Sequence, residues 1–160
     1  MDEQILTLLE KDARIPDEKI AVMLGTTAEE VRKAITRLEA AGAIRAYRAV
    51  IDWEKAGAEK VFAFIDVKVS PSKGVGYDEV ASRIYRYREV HSVYLVSGDY
   101  DLRVVVEGST MREVAFFVAE SLAPIDGVLS TRTNFMMRKY KEHGVVFELP
   151  DQDDRLAVAP

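Results

Sequence analysis

The spacing of apolar residues changes once along this chain of 160 residues, near residue 60. That change constrains the fold more than any other feature. Before it, apolar positions recur every three or four residues, the period of helices buried along one side. After it, Val61, Ala63, Ile65, Val67 and Val69 alternate with their neighbours, the period of a strand with one buried face. A helical domain followed by an α+β domain is the arrangement this order predicts.

The first part divides into three short helices. Ile5, Leu8 and Leu9 give helical spacing over Asp2–Lys11, and the acidic residues ahead of them suit a helix N-terminus. Pro16 opens a second helix, Ile20, Met23 and Leu24 line it, and Gly25 ends it. Thr27-Ala-Glu-Glu30 is a capping box that starts a third helix, Ala28–Ala41, which Gly42 closes. Val31, Ile35 and Leu38 form its inward stripe, so Glu29, Arg32, Lys33, Thr36 and Arg37 face outward. Ala43–Ile51 alternates apolar residues with Arg45 and Arg48, as a short two-stranded wing does. Three helices and a wing in about 50 residues make a winged helix-turn-helix, whose third helix enters the DNA major groove. Candidate DNA contacts are therefore Thr27, Arg32, Lys33, Thr36, Arg37, Arg45 and Arg48.

Asp52–Lys60 is a short connector with Trp53 and Gly57. A strand at Val61–Val69 follows, then a Pro/Gly/Ser loop over Ser70–Gly76 and a helix carrying Tyr77, Val80, Ala81 and Ile84. Strands at Val90–Val96 and Leu102–Val106 flank the turn Gly98-Asp99-Tyr100-Asp101. A second capping box, Thr110–Glu113, opens another helix, and Val128–Met137 is the last long strand. The order β-α-β-β-α-β is the ferredoxin-like split arrangement. Its helices cover one sheet face and leave the other bare, with Phe62, Phe64, Tyr94, Phe135 and Met137 expected there. Dimerisation through that face is the economical way to bury it. Val145–Leu149 is expected to add a strand, exchanged between subunits, and Asp151–Pro160 to be a polar mobile tail. The domains expected are a DNA-binding domain over 1–51, a linker over 52–60, a sensing and oligomerising domain over 61–141, and a strand and tail over 142–160.

Composition removes several classes of chemistry. With no cysteine there is no disulfide, thiolate metal site or thiol nucleophile. His91 and His143 are too far apart in sequence to suggest a metal motif, and no cofactor or catalytic residue is expected. No apolar run approaches the roughly 20 residues that span a bilayer, and the acidic start Met-Asp-Glu-Gln does not resemble a signal peptide. A cytoplasmic protein is the expectation. The net charge of −5 argues against nucleic acid until its distribution is considered. Residues 28–48 carry 5 Lys+Arg against 3 Asp+Glu, the one local basic concentration, whereas the last 110 residues carry 14 against 18.

Ordered together, short motifs resemble one family. The run Asp2-x-x-Ile5-Leu6-x-x-Leu9, Asp12-Ala13-Arg14, Ile20-Ala21, Leu24-Gly25 and Arg37-Leu38-Glu39-x-x-Gly42-x-Ile44 is similar to the DNA-binding half of Lrp/AsnC regulators. Glu89-Val90, Val96-Ser97-Gly98-Asp99-Tyr100-Asp101, Gly127-Val128 and Thr131-x-Thr133 resemble their effector domain. The resemblance covers residues 2–141. It implies dimers that associate further, often to octamers, an amino acid or related metabolite held between effector domains, and control of nearby or own-gene transcription on double-stranded DNA. Where members place further arginines on the third helix, this chain has Ala34 and Thr36.

Each candidate has a plainer reading as well. Arg32, Lys33 and Arg37 are also what a solvated helix face carries, and Arg45, Tyr47 and Arg48 suit an ordinary hairpin. Gly98-Asp99 is common turn chemistry, yet exposed N–H groups in such a turn can hold a carboxylate. Asp99 or Asp101 could meet an ammonium and the Thr131 and Thr133 hydroxyls could complete a zwitterion site with Gly98 and Tyr100, which matches a free amino acid. Two other functions compete with a regulator. One is a metabolite-binding module whose helix-turn-helix no longer reads DNA. The other is an enzyme like the sirohaem decarboxylases, which resemble this family and carry a histidine near the position of His91.

Overall fold

The computed structural model describes residues 1–70 and 76–147. The chain divides into two compact units, Met1–Val50 and Ile51–Pro160. Most of the expected Ser70–Gly76 loop, the end of the Val145–Leu149 strand and the Asp151–Pro160 tail lie outside the described residues. None of the described helices is long and apolar enough to cross a membrane.

The first unit holds three helices: α1 (Asp2–Lys11), α2 (Asp17–Leu24) and α3 (Ala28–Ala40). Asp2 and Glu3 sit in the first turn of α1, and Pro16 caps α2 with φ −65°, where its missing N–H costs nothing. Ile5, Ile20, Ala21, Val31, Ala34 and Leu38 bury together as the core, with Leu9, Ile35 and Ile44 packed around them. The inward stripe of α3 is thus Val31, Ala34 and Leu38, and Ile35 is only half-buried. Ala34 therefore faces the core, not the position where an exposed arginine could stand.

The wing does not form. Among the described residues no strand lies between α3 and β1 (Val61–Val69). A tight two-residue hairpin turn needs residues that accept positive φ, and Ala43–Ile51 contains no Gly, Asn or Asp to make one. The chain instead folds back on the end of α3: Ala43 and Ile44 donate N–H bonds to the Leu38 carbonyl at 2.9 and 3.2 Å. The Tyr47 hydroxyl then donates to Glu39 at 2.8 Å. The next turn is built around Trp53–Ala58, where the ammonium of Lys60 lies 3.9 Å from the centre of the Trp53 ring.

The second unit continues with α4 (Tyr77–Ile84), β2 (Val90–Leu95), β3 (Leu102–Gly108), α5 (Met111–Phe117) with a π-helical turn over Val118–Leu122, and β4 (Val128–Phe135). The strands form one antiparallel sheet in the order β2-β3-β1-β4. Ala63, Ile65, Val67 and Val69 of β1 and Leu102, Val104 and Val106 of β3 point to the same face. They pack on Val80, Ile84, Val114, Phe117, Val118 and Leu122 from the helices. At Gly108 sheet and helix approach closely, since a Cβ there would lie 2.8 Å from Val114 Cγ2. At the start of α5, Thr110 accepts the Glu113 N–H at 3.0 Å, but the Glu113 carboxylate reaches back to the Ser109 N–H at 2.7 Å, one residue beyond a capping box.

Register decides what the uncovered face carries. Phe62 and Phe64 lie on it, as does Tyr94, which pairs with Arg103. Phe135 does not: it pairs with Ala63 and packs against the core on the helix side, and Met137 lies beyond the end of β4. The terminal strand is also different from its expectation. β5 (Lys141–Glu142) and β6 (Val145–Val146) pair within the chain as a hairpin around His143 and Gly144, at φ 46° and 82°. Two consecutive positive φ values are what a two-residue hairpin turn demands.

Candidate DNA-reading helix and effector turn

The sequence of α3 builds its exposed face from the N-terminus onward. Thr27 accepts the Glu30 N–H at 3.2 Å while Glu30 accepts the Thr27 N–H at 3.3 Å, and the Thr26 hydroxyl also donates to Glu30. These bonds hold the Glu30 carboxyl below its ordinary range, the Thr26 hydroxyl foremost. Thr27 is exposed, but its hydroxyl is engaged in the cap.

Arg32, Lys33, Thr36 and Arg37 all lie on the exposed side of the helix. Each cation has a carboxylate beside it. Arg32 Nε is 3.2 Å from Asp17 Oδ2 on α2, Lys33 Nζ is 2.7 Å from Glu29, and Arg37 Nη2 is 2.7 Å from Asp2 on α1. Thr36 donates its hydroxyl to the Arg32 carbonyl at 2.9 Å. Arg45 and Arg48 are exposed on the irregular segment after α3, not on a wing. The structure thus groups four of the seven candidates on one helix face and sets Thr27 at its start. Asp2 and Asp17 were not anticipated, because their partners stand 35 and 15 residues away.

The Gly98–Asp101 turn joins β2 to β3. Gly98 has φ +126°, a conformation that side chains rarely tolerate. Asp101 clamps the turn to β1: its N–H donates to the Val67 carbonyl at 3.1 Å and its carboxylate accepts the Val69 N–H at 2.8 Å. Lys68 Nζ stands 3.4 Å from the same carboxylate. Gly98 and Asp99 are exposed and Tyr100 is half-buried. Thr131 and Thr133 are half-buried on the helix-covered face of β4, opposite Val67 and Ile65. Thr131 and Asp101 therefore share one end of the sheet on opposite sides of β1, and Thr133 lies two residues further in. Of the turn's two acids, Asp99 is the exposed one.

A second polar cluster lies on the uncovered sheet face. One row crosses all four strands: Tyr94, Arg103, Asp66 and Arg132 stand opposite one another in register. Asp66 is 6% exposed, buried although charged. Arg103 Nε donates to it at 2.8 Å and Asn134 at 3.4 Å, so the carboxylate is compensated. With Phe64 and Arg132 these residues line a cavity of about 310 Å³. Nearer the edge, Glu107 takes Lys60 at 2.5 Å and His91 Nε2 at 2.6 Å, and the His91 ring stands edge-on to Phe62. Among the described residues no group of three or more metal-ligating side chains comes together.

The AsnC-type helix-turn-helix domain matches residues 1–39, and the Lrp/AsnC ligand binding domain matches residues 62–146. The chain belongs to the Lrp/AsnC family. It is 50% identical over 160 residues to the uncharacterized HTH-type transcriptional regulator YugG of Bacillus subtilis, covering 99% of this chain and 96% of that one. The crystal structure of MtbAldR superposes with a TM-score of 0.75 at 26% identity, over 88% of this chain and 94% of that one. A Neisseria meningitidis regulator, NMB0573, solved as a complex with L-Met, shares the fold at a TM-score of 0.72 and 23% identity, over 93% and 94% of the two chains. This Lrp/AsnC protein is accordingly a DNA-binding transcriptional regulator, with a helix-turn-helix head and a ligand-binding domain.

Proposed function

We propose that this regulator reads specific DNA sequences with α3 and responds to a free amino acid or close metabolite held at the Gly98–Asp101 turn. The observation that carries the reading is the turn itself. Asp101 is consumed in fastening it to Val69 and Lys68, which leaves the exposed Asp99 to meet an ammonium group. Backbone N–H groups at Gly98 and Tyr100 offer a carboxylate its donors, and Thr131, at the same end of the sheet, offers a hydroxyl. Thr133 takes a supporting place. The L-Met complex of a protein with this fold makes methionine the first amino acid to try.

On the DNA side, Arg32, Lys33, Thr36 and Arg37 form the reading face, with Thr27 at its start, and the exposed Arg45 and Arg48 contact phosphates. Two copies pair through the uncovered sheet face, where Tyr94 is exposed and Phe62 and Phe64 are half-buried, and pairs assemble further, to an octamer. Several linked heads then multiply a modest affinity per head. Ligand at the turn changes how pairs associate and so changes head spacing on DNA. The protein works in the cytoplasm, without membrane contact, catalysis or cofactor.

The test is binding to DNA from upstream of its own gene against scrambled DNA, across a salt series, with and without each amino acid. Preference for the upstream DNA, weakening with salt, and a shift by one amino acid are the expected results. Amino acids that alter neither DNA affinity nor assembly mass at saturation would overturn the effector reading.

A further inference from the structure

Two arginines of α3 are held by carboxylates from other helices, and the two pairs are built differently. Arg37 gives Nη2 to both oxygens of Asp2, at 2.7 and 2.8 Å, so part of its terminal fork is spent tying α3 to α1. Arg32 meets Asp17 through Nε at 3.2 Å, the nitrogen on the stem side of the guanidinium. Among the described residues no hydrogen bond engages its two terminal nitrogens. The Arg32 side chain is 62% exposed and that of Asp17 only 29%.

Asp17 is a firm anchor. It is the first residue of α2, directly after Pro16, where the helix dipole favours a carboxylate. Arg32 is the fifth residue of α3, in the N-terminal half that a reading helix brings to base edges. A free arginine loses rotamer freedom when it docks on a base, whereas one held at Nε has lost much of it already. The geometry suits a fork that donates two parallel hydrogen bonds, for which guanine O6 and N7 are the matching acceptor pair in the major groove.

We infer that Asp17 is a positioning residue for sequence recognition: it holds Arg32 by Nε and leaves the terminal fork to read one guanine. The inference rests on α3 being the DNA-reading helix, as proposed above. The competing role for Asp17 is that of an acid which merely repels phosphate, and that role has the opposite consequence. Removing a repelling acid raises affinity for every DNA alike. Removing an anchor lowers discrimination at one base pair and leaves the phosphate contacts intact.

The experiment selects binding sites from a random duplex pool with the full chain. It then measures affinities of the selected site and of its single G·C to A·T replacements for the wild type, Asp17→Asn, Arg32→Ala and the double variant. One replacement is expected to cost the wild type roughly tenfold. It should cost Arg32→Ala and Asp17→Asn little, and the double variant should discriminate no worse than Arg32→Ala alone. Salt slope and melting temperature should stay near the wild type in Asp17→Asn. Three results overturn the inference: Asp17→Asn binding all duplexes more tightly by one factor, Asp17→Asn keeping full discrimination, or additive effects in the double variant. If instead Arg32→Ala, Lys33→Ala and Arg37→Ala all retain the wild-type consensus, the α3 reading itself fails.

Discussion

Ala34 lies on α3 between Arg32 and Thr36, yet it is 1% exposed and packed in the head's core beside Ile5, Ile20 and Leu38. An arginine there has no room and no carboxylate, so Ala34→Arg should destabilise the head by at least about 2 kcal/mol. Thr36→Arg, on the exposed side, should change stability by less than about 0.5 kcal/mol and strengthen DNA binding. Urea unfolding of both variants checks this, and equal losses would contradict the assigned burial. Asp66 teaches the same lesson in reverse. Alternation along β1 places it on the uncovered face, where a lone carboxylate is unremarkable. Its burial against Arg103 and Asn134 depends on strand register, and residues 37 and 68 positions away leave no local trace of it.

At the scale of elements, α3 shows how much a short motif can specify. Thr27 and Glu30 carry the start of the helix in four residues, and the reciprocal bonds form as that spacing demands. The folded Glu30 carboxyl titrates below its ordinary 4.5, with the Thr26 hydroxyl as the main cause. Its contribution to stability is therefore complete above that value and is lost as pH falls through the lower folded one. Helical circular dichroism of the wild type should thus lose more on acidification from pH 5 than that of Glu30→Gln, and identical curves would show that the cap contributes nothing. The second box was less legible, because Glu113 turns to Ser109 rather than Thr110. The missing wing has a clear physical reason. Alternation in Ala43–Ile51 met the strand period, but strands need a partner, and no residue there favours the tight turn that would supply one within the segment.

For the whole molecule, the consequential feature is the uncovered sheet face of the second unit. Phe62, Phe64 and Tyr94 lie there around the Arg103–Asp66–Arg132 row, aromatic residues about a polar centre, and the pairing proposed above uses this face. Phe64→Glu would set a carboxylate beside Asp66, and on pairing would bury like charge against like. Native mass spectrometry or sedimentation should then find single chains where the wild type forms dimers or larger assemblies. A variant that assembles like the wild type would place the interface elsewhere.

Apolar spacing alone determined the two-part order of the chain, the number and type of its main helices and strands, and the helix face that carries Arg32, Lys33, Thr36 and Arg37. Those properties are periodic and local, so neighbouring residues suffice to express them. Tertiary structure decided the rest: that Phe135 faces the helices, that Asp101 fastens its turn to β1, that Asp66 is buried with Arg103, and that Asp17 meets Arg32. Each of these depends on which strand or helix lies beside which, and in what register. Pairing across tens of residues is set by the packing of whole elements, and a one-residue slip would exchange the two faces of a strand.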